Sequence, residues 1–179
     1  MALWDICAYK DVSTHITGLP ALSGGGIYTG HHMIPDHCWY YTKGLRGKGD
    51  LSAFLCPTVH SYKDDDAPVI IVTADANGGK SRIHGVVHQF FDPVEDGKGS
   101  SWSYKEARLA AVSSVLSAQK AEGAKSPWSS ANLIAKLDEY FVKVCGVNDA
   151  TMIRAGEHNV FPNIEVRSSE RNPKKAKLF

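Results

Sequence analysis

Of the eight histidines in this 179-residue chain, four sit where imidazoles can act together. His31 and His32 are neighbours in Gly30-His31-His32, and His84 and His88 are four residues apart. Residues i and i+4 share one face of a helix, so a helix there would bring His84 and His88 onto one divalent ion. Neighbours on a strand point to opposite faces, so one of His31 and His32 can join that ion while the other faces a substrate. An ion held by neutral imidazoles keeps its full double charge and open positions. It can grip a phosphate oxygen and stabilise a leaving alkoxide, while a nearby imidazole with an ordinary pKa of about 6.5 deprotonates the attacking water.

These side chains must be carried by a small set of elements. After the Ser23-Gly24-Gly25-Gly26 run, the stretch Ile27 to Pro35 reads as a strand ending at the two histidines. Pro68 to Thr73 is β-branched and reads as the best strand in the chain, closed by Asn77-Gly78-Gly79 as a turn. Beyond it the period changes: Ile83, Val86, Val87, Phe90 and Phe91 recur at helical spacing, and Pro93 is expected to end that helix. Between the strands, Asp36 to Asp66 lacks sustained periodicity, so a short helix near Asp50 to Leu55 and a functional surface are expected. Two further helices follow. One, between about Ser103 and Ala121, is marked by Leu109, Val112 and Leu116. The other is capped by Ser126-Pro127, buries Leu133, Leu137, Phe141 and Val144, and ends at Gly146. The fold class expected is α+β, two strands and a helix buttressed by a helical C-terminal half.

Taken together, Gly30-His31-His32 followed by Ile34-Pro35, then Asn77, then His84-x-x-x-His88 resembles the HNH, or ββα-metal, nuclease superfamily. Within it the pattern is most similar to the Gly-His-His toxin nucleases found as C-terminal domains of bacterial polymorphic toxins, including type VI secretion effectors. The likeness covers residues 27–92. It implies a leader at 1–26, a nuclease core with a long insert at 27–92, a helical buttress at 93–166 and a basic tail at 167–179, all within one compact domain. By position it makes His32 the general base and His31, His84 and His88 the ligands of one divalent ion, such as Mg, Mn, Ni or Zn. Asn77 becomes the residue that ties the intervening loop and orients the base, although the gap from His32 to Asn77 is long for the compact members. The activity implied is metal-dependent hydrolysis of DNA, with RNA also open, because an ion and a base act on phosphate geometry. The resemblance further implies a cognate immunity protein, delivery through a missing N-terminal region by a specialised secretion system, and action in the cytoplasm of a target bacterium. The alternative is a non-catalytic module, binding nucleic acid or protein, in which the same histidines hold the fold together around a metal.

Lys43, Arg46 and Lys48 in the insert, and Lys80 and Arg82 beside the histidine helix, are candidates to grip phosphate. Trp39, Tyr40 and Tyr41 could pack on a sugar or base, with core packing the competing role for at least two of them. His37, Cys38, Cys56 and His60 offer donors for a structural zinc site, against the ordinary alternative of buried thiols and surface imidazoles. The four cysteines form no C-x-x-C pair, which argues against a disulfide framework and for thiols in a reducing compartment. His-x-Glu with Pro-Cys-x-x-Cys is missing, as are His-Glu-x-x-His and a Lys-bearing phosphate loop, which removes support for a zinc deaminase, a metallopeptidase and a P-loop enzyme.

Composition bounds the rest. With 43% hydrophobic and 22% charged residues, the disordered and coiled-coil classes fit poorly. No apolar run nears the roughly 20 residues of a membrane span, and Met1 to Asp5 begin no secretory signal. The net charge of +1 argues against holding nucleic acid by bulk electrostatics. That mean hides an asymmetry: Arg167, Arg171, Lys174, Lys175 and Lys177 face only Glu170 in the tail, leaving the body slightly acidic.

Overall fold

Eight residues, Pro68–Asp75, form the central strand β3, and their β-branched side chains suit a position covered on both faces: all but Asp75 are buried. The computed structural model in which this is seen describes residues 3–43, 50–77 and 82–162. β3 is flanked antiparallel by β1, Ile6–Ala8, and by β2, Gly26–His32, giving the order β1-β3-β2. The described part is thus α+β, as expected, but with elements the sequence did not announce. The segment expected to be a separate leader supplies β1, with Ile6 opposite Ile70, and also the first residue of β2. β1 is too short for alternation to reveal it, and its partner lies some sixty residues away.

Register separates the two faces of this sheet. His31 lies opposite Ile70 and Thr29 opposite Val72, so those four share a face, while Gly30, His32, Val69 and Ile71 share the other. The first face is covered by α2, Arg82–Asp96, with Ile70, Val72, Ile83, Val87 and Phe91 in the core. The second carries the short helix α1, Val12–Ile16. Here the glycine preceding the histidines has a steric purpose. A Cβ on Gly30 would stand 2.7 Å from Cγ2 of Val12 and 2.8 Å from Cγ2 of Val69.

α2 continues through Pro93 to Asp96, where the sequence led us to expect its end. Proline removes one backbone donor, but the turn beyond it is held from outside by Glu95, which is buried and bonded to three groups described below. α2 packs on α3, Tyr104–Ala121, whose Ser103 and Glu106 form a reciprocal capping box. The face that α3 buries is made largely of small residues, Ala107, Ala110, Ala111, Ser114, Val115 and Ala118. Of the expected stripe only Val112 is fully buried; Leu109 is 47% exposed, because the alanine face is the one that permits close helix approach.

α4, Ser130–Phe141, begins after Ser129, whose side chain accepts from the Asn132 N–H; Ser126 instead closes a local turn with Trp128. Leu133, Leu137 and Phe141 are buried as expected, but Val144 lies beyond the helix end and is 61% exposed. A two-stranded ribbon completes the described fold: β4, Ser101–Ser103, pairs antiparallel with β5, Met152–Arg154, so the C-terminal half is not purely helical.

The insert after β2 is tied down by aromatic stacking. Trp39 lies on Phe141 with ring centroids 4.3 Å apart and on Tyr62 at 5.1 Å, and Trp39 and Tyr40 are buried. Those two rings therefore belong to the core. The short helix expected near Asp50 to Leu55 is a single 3₁₀ turn, Ser52–Phe54. Arg46, Lys48, Lys80 and the basic tail lie outside the described residues. Gly30→Ala should lower stability in urea unfolding by about 1–3 kcal/mol, through overpacking between β2, β3 and α1.

Candidate metal centre

β2 ends at His31 and His32, and the alternation along it sends His31 toward α2, where it is only 4% exposed. The first two turns of α2 present His84 and His88 on the same stripe. The three rings meet pairwise, His31 with His84 at 5.1 Å between centroids, His31 with His88 at 4.9 Å and His84 with His88 at 5.0 Å, each close to edge-on. One ring nitrogen from each lies within 4.8 Å of the others. On a four-coordinate ion with bonds of about 2.0–2.1 Å, ligand nitrogens lie about 3.3 Å apart, so small ring rotations close the set. The donors fit a divalent ion: three imidazoles, one on a strand and two on a helix, with no carboxylate among the ligand atoms.

A carboxylate that spacing alone did not single out supports the centre from outside. The Nδ1–H of His88 donates to Oδ1 of Asp92 at 2.8 Å, one turn further along α2. That bond leaves Nε2 as the His88 nitrogen available to an ion and makes it a better donor to a cation. The signal was present as His84-x-x-x-His88-x-x-x-Asp92.

His32 stands outside the ligand group. It faces the α1 side of the sheet, and its ring lies 4.7 Å from that of Tyr9. It lies near Asp36, four residues later, whose carboxyl accepts from the Tyr62 hydroxyl at 2.9 Å. Burial pushes the Asp36 carboxyl up from its ordinary value, while the Tyr62 bond and the neighbouring His32 and His37 pull it back. The same burial, with Asp36 beside it, pushes the Tyr62 hydroxyl well up.

Asn77 is not placed to orient His32. His32 pairs with Val69 at one end of the β2–β3 hairpin, and Asp75 pairs with Gly26 at the other. Asn77 lies two residues past Asp75, so the rise along the strand puts it about 20 Å or more from His32. Asp36 and Tyr9 are the side chains that the fold brings to His32 instead, and neither stood out in the sequence, since the leader and the insert show no periodic signal.

Arg82 also departs from its expected role. Its Nη2 donates to the carbonyls of Ser23 at 2.9 Å and Gly24 at 3.0 Å, and its Nε lies 3.6 Å from the Asp75 carboxylate. The guanidinium lies against the backbone of Gly26, where a Cβ would come within 2.5 Å of Cζ. It clamps the start of α2, whose first residue has a left-handed φ of 66°, to the start of β2. Lys43 is exposed.

The soft-ligand candidates divide. His37 and Cys38 come together, but with Glu95 of α2. His60 is exposed, and Cys56 lies alongside, its thiol donating to the Cys38 carbonyl at 3.6 Å. Comparison of the chain with protein-family models, with curated proteins and with solved structures finds no match. Among the described residues no helix is long and apolar enough to cross a membrane.

Asp92→Asn should weaken binding of Zn²⁺ to the histidine centre by about 10–100-fold, read by competition with a chelating dye, with the fold unchanged by circular dichroism.

Proposed function

We propose that this protein is a metal-dependent endonuclease of the HNH, or ββα-metal, kind that hydrolyses phosphodiester bonds, DNA being its first substrate. The observation that carries the reading is the convergence of His31 with His84 and His88 while His32, the next residue in the chain, faces away from them. The order β2, β3, α2, with one donor on the first strand and two on the helix, is the arrangement that the resemblance implied, and it supports the proposal.

β2 is an edge strand, and the two histidines are its last residues. A phosphodiester laid across that edge would meet the His31–His84–His88 centre and the His32 ring together. His32 takes a proton from the water that attacks phosphorus, with the Tyr9 ring packed against it and Asp36 nearby. A bound divalent ion supplies Lewis-acid stabilisation of the phosphate oxygens and of the leaving alkoxide. Asp92 holds His88 in the tautomer that donates through Nε2. Since these groups act on the phosphate, RNA is a possible second substrate. The delivered-toxin setting, with a cognate immunity protein, belongs to the same proposal.

Purified protein is incubated with plasmid and Mg²⁺, Mn²⁺, Ni²⁺, Zn²⁺ or chelator. Metal-dependent nicking is expected, and His32→Ala should slow it by about 10²–10⁴-fold while metal content and thermal midpoint stay unchanged. Full activity in that variant would remove His32 from the role of base. Plasmid left uncut with every metal would favour the non-catalytic module.

A further inference from the structure

The group at the other end of α2 has no part in that chemistry. Oε1 of Glu95 accepts from Nε2 of His37 at 2.6 Å, from the N–H of Gly156 at 2.9 Å and from the Cys38 thiol at 3.3 Å. Cys38 is completely buried and Glu95 is 4% exposed, whereas the His37 side chain keeps 22% of its surface, which leaves an ion a way in. We propose that His37, Cys38 and Glu95 form a second metal site, structural in purpose, that takes zinc or a similar thiolate-binding divalent ion.

The donor chemistry carries the assignment. An imidazole nitrogen, a sulfur and a carboxylate oxygen lie within 4.8 Å of one another, a mixed set of the kind zinc takes. Two of the hydrogens that now point at Glu95, on His37 and on Cys38, occupy the space where one ion would replace them. On binding, the thiol proton leaves to solvent and the His37 proton passes through solvent from Nε2 to Nδ1, so the ion gains two anionic donors and one neutral donor.

Arg154, 1% exposed, has its charge felt by Cys38, Cys56 and Glu95, while its own nitrogens bond the carbonyls of His37, Glu157 and Asn159. An ion of charge two would meet one thiolate and one carboxylate, which match its charge, with this guanidinium beside them.

Such a site explains its own position. The 3₁₀ turn Asp36–Trp39 begins four residues after His32, and Glu95 follows His88 by seven on α2. A bond between them locks the two arms of the chain that carry the histidine centre.

The centre built on His31, His84 and His88 contains no sulfur, so cobalt distinguishes the two sites even if the nuclease reading fails. Metal-free, reduced protein is titrated with Co²⁺, both as the unaltered chain and with His31, His84 and His88 all replaced by alanine. A near-ultraviolet thiolate-to-cobalt charge-transfer band is expected in both, with about one Co²⁺ bound and a raised thermal midpoint in the triple variant. Cys38→Ser in the unaltered chain should abolish the band. Absence of the band from the unaltered chain, or its survival in Cys38→Ser, overturns the proposal and leaves the cluster a hydrogen-bonded brace.

Discussion

α2 is pinned at both ends, and the histidine centre depends on that more than on any single contact. At its start the guanidinium of Arg82 holds the carbonyls of Ser23 and Gly24, which lead directly into β2. At its end Glu95 is gripped by His37, Cys38 and the Gly156 N–H. A helix fixed at two points cannot slide or turn on the sheet. A rotation by one residue, about 100°, would carry His84 and His88 away from His31 altogether. The alanine-rich face of α3 presses on α2 and completes the constraint.

The electrostatics follow from where the charges were kept away. Three imidazoles converge near β2 with no carboxylate among the ligand atoms, and Asp92 stands behind them on His88. A cation placed among them would be the largest local charge. In a chain with a formal net charge of +1, bulk electrostatics supply little attraction for a polyanion, so under the proposed function such an ion would carry much of it. Asp36 beside His32 gives the second imidazole a different surrounding, with a carboxylate close by and Tyr62 holding that carboxylate in place. Two adjacent residues thus sit in two chemical environments because a strand alternates its side chains.

The described part of the insert has a structural reason to exist. Its Trp39 and Tyr62 stack with Phe141 of α4, so the loop that follows the two histidines is built into the core. This brings Asp36, His37 and Cys38 to their places, the first beside His32 and the other two at the end of α2.

Local pattern alone was enough for several features. β2 ending at His31–His32, the β-branched strand β3, the pairing of His84 with His88 on one helical face and the burial of Leu133, Leu137 and Phe141 all follow from periods of two and of 3.6 residues. Other features were decided only in three dimensions. β1 exists because β3 offers it an edge; α2 outlasts Pro93 because Glu95 is held by side chains 57 and 58 residues away in sequence. Asn77 falls at the far end of the hairpin because register is a property of two strands together. Arg82 is drawn into a clamp because its neighbours include carbonyls of a distant loop. The sequence by itself determined which donor types were available and which pairs shared an element; the tertiary structure decided which donors met, since contact between elements depends on packing and register that no local period encodes.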